Sequence, residues 1–154
     1  MNYSLIFDIG KTNKKVFVFD ENHQAIFQAS ISFEERWDGD GFPCDDLPAI
    51  EAWIKASTIA AFERYEDHIQ FINFSAYGAS FVHLDEDGKP ILPLINNLKP
   101  YPKELLAKFY EKYGTPEQIA LQTASPPLAM LNAGLQLYWL KYQHKDLFEK
   151  TKYS

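Results

Sequence analysis

At 154 residues the chain has the length of one domain or one lobe of a larger protein. An apolar fraction of 46% with 16% aromatic residues is ample for a core and excludes wholesale disorder. A net charge of −6 argues against a surface that coats duplex nucleic acid, and a lone cysteine, Cys44, excludes an internal disulfide or a cysteine-rich zinc site. No basic leader precedes the first apolar run, and no run approaches the roughly 20 residues that span a bilayer, so a soluble, cytoplasmic protein is expected.

The first informative stretch is Leu5 to Phe19. An apolar strand ends at Asp8, a polar turn follows from Gly10 to Lys15, and Val16-Phe17-Val18-Phe19 favours a second strand. Lys11, Lys14 and Lys15 concentrate positive charge in that turn, beside the Thr12 hydroxyl and the Asn13 amide. Backbone N–H groups and cations converging in a short turn suit a phosphate. Asp8 beside it is placed to hold Mg²⁺, which prefers carboxylate, water and phosphate oxygens. A Walker loop joins a strand to a helix, whereas this chain folds back as a hairpin.

A turn at Asp20 to His23 leads into a third strand, Ala25 to Phe33, giving an antiparallel N-terminal meander. The polar loop Glu34 to Pro43 carries Trp37 and Phe42, which are expected to tuck back as anchors. Asp46 as cap and Pro48 in the first turn open a helix whose apolar residues recur at helical spacing to about Tyr65. Cys44 beside that cap reads as an unreactive thiol. A strand at Ile69 to Phe74 returns to the same sheet, which makes the helix a crossover in an α/β layer. Strands at Phe81 to Leu84 and Pro90 to Leu94 are expected around the turn Asp85 to Lys89, with His83 packed or at the surface.

From Asn96 on the pattern is helical. Pro102 opens one helix and Gly114 ends it; Thr115-Pro116-Glu117-Gln118 is a capping box. A last long helix is expected to start at Ser125-Pro126-Pro127, with Leu128, Leu131, Leu135, Tyr138 and Trp139 as a core stripe.

The hairpin resembles the first phosphate motif of the actin-like, sugar kinase and Hsp70 superfamily. More narrowly, it is similar to the start of the FGGY carbohydrate kinases, D-x-G-T-T-x-x-R or K. Asp8, Gly10, Thr12 and Lys15 match that pattern, while Lys11 departs from its usual small residue. Ala76-Tyr77-Gly78 resembles the threonine, tryptophan and glycine of rhamnulose kinases more than the glutamine, methionine and histidine of xylulose kinases. The stretch from Phe81 to Asn97 resembles the family's strand, turn and strand ending near an Asn-Asp pair, and Leu135 to Lys150 resembles the helix after its sugar-binding loops.

That resemblance implies an RNase H-like (actin-like ATPase) α/β fold, with the meander in a mixed sheet and packed helices. Residues 1–154 would be the N-terminal portion of an ATP-dependent, Mg²⁺-using sugar kinase acting on a ketose or deoxy-ketose. It assigns Asp8 to the metal, Gly10, Lys11, Thr12, Asn13 and Lys15 to phosphates, and Tyr77, Gly78, Ser80, Asn96 and Asn97 to the sugar. Asn97 stands where an acid is common. The catalytic Asp base and the nucleotide-gripping lobe lie beyond Ser154 in the family, so this portion alone is expected to be inactive and to self-associate through apolar surface. Two other readings remain open: a non-catalytic module binding sugar or protein, and an RNase H-like nuclease with Asp8 as a metal ligand, which needs further converging carboxylates.

Overall fold

The computed structural model describes residues 1–154, which form two compact units: residues 1–36 with 45–78, and residues 37–44 with 79–154.

The first unit is a sheet covered by one helix. Strands β1 (Tyr3–Ile9), β2 (Lys14–Phe19) and β3 (Ala25–Ile31) form the expected antiparallel meander, β3 stopping two residues before Phe33. Two-residue strands β4 (Arg36–Trp37) and β5 (Pro43–Cys44) pair with each other at the ends of the 37–44 segment, which belongs to the second unit; helix α1 (Leu47–Tyr65) follows in the first. Strand β6 (Ile69–Ala76) then returns parallel to β1, giving the order β3-β2-β1-β6. The pleat sends alternate residues to opposite faces. Leu5, Phe7, Val16 and Val18 therefore share one face, where they are buried against Ala61, Trp53 and Ile54 of α1. Phe7 is central: its ring meets Trp53 edge-on at 5.5 Å and stacks on Phe74 at 5.1 Å. Asp46 caps α1 as expected, its Oδ1 accepting from the Ala49 N–H at 3.1 Å. The stripe of α1 is narrower than its spacing implies, since Phe62 is exposed.

The second unit is chiefly helical. Its helices are α2 (Lys103–Tyr113), α3 (Pro116–Thr123), α4 (Ala133–Gln143) and α5 (Lys145–Lys150); α2, α4 and α5 contribute to or pack on a core of Ile95, Leu105, Met130, Trp139 and Leu140, while α3 buries no residue. Gly114 ends α2, and the Thr115–Gln118 capping box forms in both directions. Pro102 stands one residue outside α2, as its N-cap. Half-buried Lys99 ties down the 37–44 segment, its ammonium meeting Asp38 and Asp40 and lying 5.5 Å from the Trp139 ring.

Three expectations change. The Asp85–Lys89 turn is present, but the two flanking strands reduce to an isolated bridge between Leu84 and Pro90. Pro90 and Pro93 have no N–H to donate, so a ladder cannot extend through them. The last long helix starts late: after a 3₁₀ turn at Ala129–Leu131, α4 begins only at Ala133. Asn132 holds the preceding backbone in a loop, accepting from the Leu128 N–H and donating to the Pro126 carbonyl, so Leu128 and Leu131 are exposed while Leu135 and Trp139 are buried. Trp37, expected as an anchor, is 72% exposed. Cys44 and His83 are both buried, as an unreactive thiol and a packed histidine would be, and burial holds the His83 pKa below the usual imidazole value.

Candidate functional site

The turn between β1 and β2 is shaped by Gly10. A Cβ there would lie 2.7 Å from the Asn13 carbonyl oxygen, a distance real contacts do not tolerate. The close approach folds Lys11, Thr12 and Asn13 into a tight tip, with Thr12 and Asn13 exposed. Gly10→Ala is therefore expected to push the tip open. A melting temperature lowered by several degrees, with perturbed amide signals confined to residues 10–14, is the predicted outcome; an unchanged turn spectrum would contradict it.

Below the tip, strand alternation decides where each lysine goes. Lys14 shares its face with Val16 and Val18 and is 1% exposed. A buried ammonium requires a counter-charge and hydrogen-bond partners. Both are present: Lys14 Nζ donates to Asp45 Oδ1 at 2.9 Å and to the Lys11 carbonyl at 2.9 Å. The second bond staples the turn from beneath. Lys15 lies on the opposite face, directly across from Asp8 in the β1–β2 register, and Asp8 is also in register with Ser75 of β6.

Asp45 is the centre of the arrangement. Its Oδ2 accepts from Lys11 Nζ at 2.5 Å and from the Tyr77 hydroxyl at 2.7 Å, while Oδ1 holds Lys14. Burial alone would raise the Asp45 pKa, but the hydrogen bonds from Lys11, Lys14 and Tyr77 outweigh it and hold the carboxyl below its usual range. Lys11 also lies 5.6 Å from the centre of the Tyr77 ring and 3.9 Å from Glu35, and its side chain is about one-third exposed. The Tyr77 N–H continues the sheet by donating to the Ile9 carbonyl at 3.0 Å. The turn tip and Tyr77 thus meet on one carboxylate.

Asp45 and Lys14 are the residues that sequence reading missed as a site. Lys14 entered only as local charge, and Asp45, next to the helix cap Asp46, was not singled out. The signal was available: Lys14 falls in phase with Val16 and Val18, and a lysine on a core face must find an acid.

The remaining residues distribute between the units. Tyr77 and Gly78 close the first unit; Ser80, Asn96 and Asn97 belong to the second. A Cβ on Gly78 would meet nothing within 4 Å, so packing does not require glycine there. Asn96 is buried and acts as a pin, its Nδ2 donating to the Pro43 carbonyl and its Oδ1 accepting from the Leu98 N–H, both at 2.9 Å. The second unit also contains a largely apolar cavity of about 410 Å³, lined by Ala79, Phe109, Ile119, Leu131 and Leu135 with Thr123, Ser125 and Asn132 as polar groups.

Asp8 is half-buried beside the turn, and no three His, Cys, Asp or Glu residues cluster as a metal cage. This donor set fits a Mg²⁺ that draws most of its ligands from water and phosphate oxygens. It does not supply the converging carboxylates of a two-metal nuclease.

Comparison with known proteins bears on the family and the fold. A rhamnulokinase from Halalkalibacterium halodurans is 28% identical over 153 residues, covering 99% of this chain and 32% of the relative. A ligand-bound xylulose kinase from Lactobacillus acidophilus superposes with a TM-score of 0.81 at 20% identity, over 99% of this chain and 31% of that one. Plasmodium falciparum glycerol kinase with ADP gives 0.80 at 20% identity, over 97% and 30%. The fold is the actin-like one of these kinases, and the chain spans about a third of their length. Because residues 3–153 match the family model for the N-terminal domain, the chain belongs to the FGGY family of carbohydrate kinases.

Proposed function

We propose that residues 1–154 are the N-terminal portion of an ATP-dependent carbohydrate kinase that phosphorylates a ketose or deoxy-ketose. The observation that carries this is the hairpin: a glycine-enforced turn of exposed Thr12 and Asn13, flanked by Lys11 and Lys15, with Asp8 across from Lys15. Phosphoryl transfer is mostly positioning and charge neutralisation, and these groups supply both. Asp8 would hold Mg²⁺ between carboxylate, water and phosphate oxygens; Gly10, Lys11, Thr12, Asn13 and Lys15 would receive the phosphates. Mg²⁺ would neutralise phosphate charge as it develops.

On the sugar side, Tyr77 beside Gly78 offers an aromatic face for C–H groups; Ser80 and Asn97 carry polar groups suited to sugar hydroxyls, and Asn96 fixes its own loop. The base that deprotonates the sugar hydroxyl, and the groups that grip adenosine, belong to the rest of the kinase. Work in the cytoplasm, without nucleic acid or membrane, and self-association of the isolated portion complete the reading.

The test is sugar-dependent ADP formation by the whole kinase across a panel of ketoses and deoxy-ketoses. One or a few of these sugars should be strongly preferred, and residues 1–154 alone should be inactive. Lys15→Ala should lower turnover by roughly 100-fold, the scale of a misplaced phosphate. A whole kinase that forms no ADP with any sugar in the panel, or a Lys15→Ala enzyme with full turnover, would refute the assignment.

A further inference from the structure

One carboxylate oxygen, Asp45 Oδ2, serves both Lys11 and Tyr77, and Lys11 covers a face of the Tyr77 ring. Of the two lysines on Asp45, only Lys11 is able to leave. Lys14 is buried and also bound to the Lys11 carbonyl, whereas Lys11 is about one-third exposed at the turn tip. We propose that Asp45 is a positioning residue that parks Lys11 over Tyr77, so that a phosphate drawing Lys11 away uncovers the ring face for the sugar. The proposal rests on the assignment of the turn to phosphate and of Tyr77 to sugar, and it adds the link between them.

The physical case is a competition for Lys11. Its ammonium is held by the Asp45 carboxylate and a ring face, with the Glu35 carboxylate 3.9 Å away. A polyphosphate offers several anionic oxygens and the N–H groups of the same turn as co-donors, so it outbids the parked position. When Lys11 departs, Asp45 keeps one ammonium, Lys14, and one hydroxyl, Tyr77, so its charge is still met by one buried cation. The Tyr77–Asp45 bond no longer shares its acceptor oxygen, which fixes the ring more firmly. A sugar stacked on the same ring face would in turn exclude Lys11 and send it to the phosphate. Linkage makes the two effects equal, so each ligand tightens the other.

The test is a titration of the chain with tripolyphosphate, followed by NMR of lysine side-chain and tyrosine ring signals. In the unmodified protein, Lys11 and the Tyr77 ring should shift together with one midpoint, and Lys15 should shift too. In Lys11→Met, a change at a partly exposed site, the Tyr77 ring should start at its phosphate-saturated position and stay there while Lys15 still responds. Movement of Lys11 and Lys15 with a stationary Tyr77 ring would overturn the link and leave the phosphate assignment standing. A Tyr77 ring that still titrates in Lys11→Met would overturn it equally. If neither lysine moves, the phosphate assignment falls and the link falls with it.

Discussion

Phe7→Ala is expected to destabilise the first unit by about 3–5 kcal/mol, the range for truncating a fully buried aromatic ring. Phe7 is 0% exposed at the centre of β1, between Trp53 of α1 and Phe74 of β6. The residue therefore joins the crossover helix to the parallel strand that follows it. α1 makes no hydrogen-bond ladder with the sheet, so its attachment depends on side-chain packing. Removing the ring costs the transfer energy of its atoms and leaves a cavity against a helix that can only partly collapse. Natural domains are stable by only about 5–15 kcal/mol, so the loss is a large share of the total. Urea unfolding followed by circular dichroism should show a lower midpoint at an unchanged slope. A loss below about 1 kcal/mol would mean that α1 is held by something other than this packing.

The architecture of the first unit was legible because its signals are local. Alternation in β1 and β2, a polar turn and the Asp46–Pro48 helix entry each act within a few residues. The helical unit was legible where a cap was written in adjacent residues, as at Thr115–Gln118, and misread where a side chain overrode the pattern. Ser125-Pro126-Pro127 looks like a helix start, yet Asn132 binds the backbone on its N-terminal side and delays α4 to Ala133. The flanks of the Asp85–Lys89 turn were misread because apolar composition was given more weight than the missing donors of Pro90 and Pro93. The outline of the β1–β2 turn could be read from Asp8, Gly10, Thr12 and Lys15. Its support could not, because Asp45 is brought to Lys14 only by the path of β3 and the excursion before α1.

That support predicts the second large effect. Asp45→Ala is expected to cost about 3–5 kcal/mol, because it leaves the buried Lys14 ammonium without its counter-charge. The Lys14 and Asp45 side chains are only 2% and 8% exposed, so solvent cannot replace the lost partner without opening the turn. Lys14→Met added to Asp45→Ala should recover much of the stability, since an apolar pair of similar volume has no charge to desolvate. Such recovery would show that the ion pair serves the site more than the fold. The pH dependence follows from the sign of the Asp45 shift. Its folded pKa lies below the unfolded value of about 3.8, so its contribution is complete above that pH and is lost as pH falls through the folded value. Unfolding free energies of the unmodified chain and of Asp45→Ala should accordingly differ most near neutrality and converge well below pH 3.8. Curves that stay parallel into acid would mean that Asp45 acts through packing rather than charge, and a double variant no more stable than Asp45→Ala would place the cost in the lost staple to the Lys11 carbonyl.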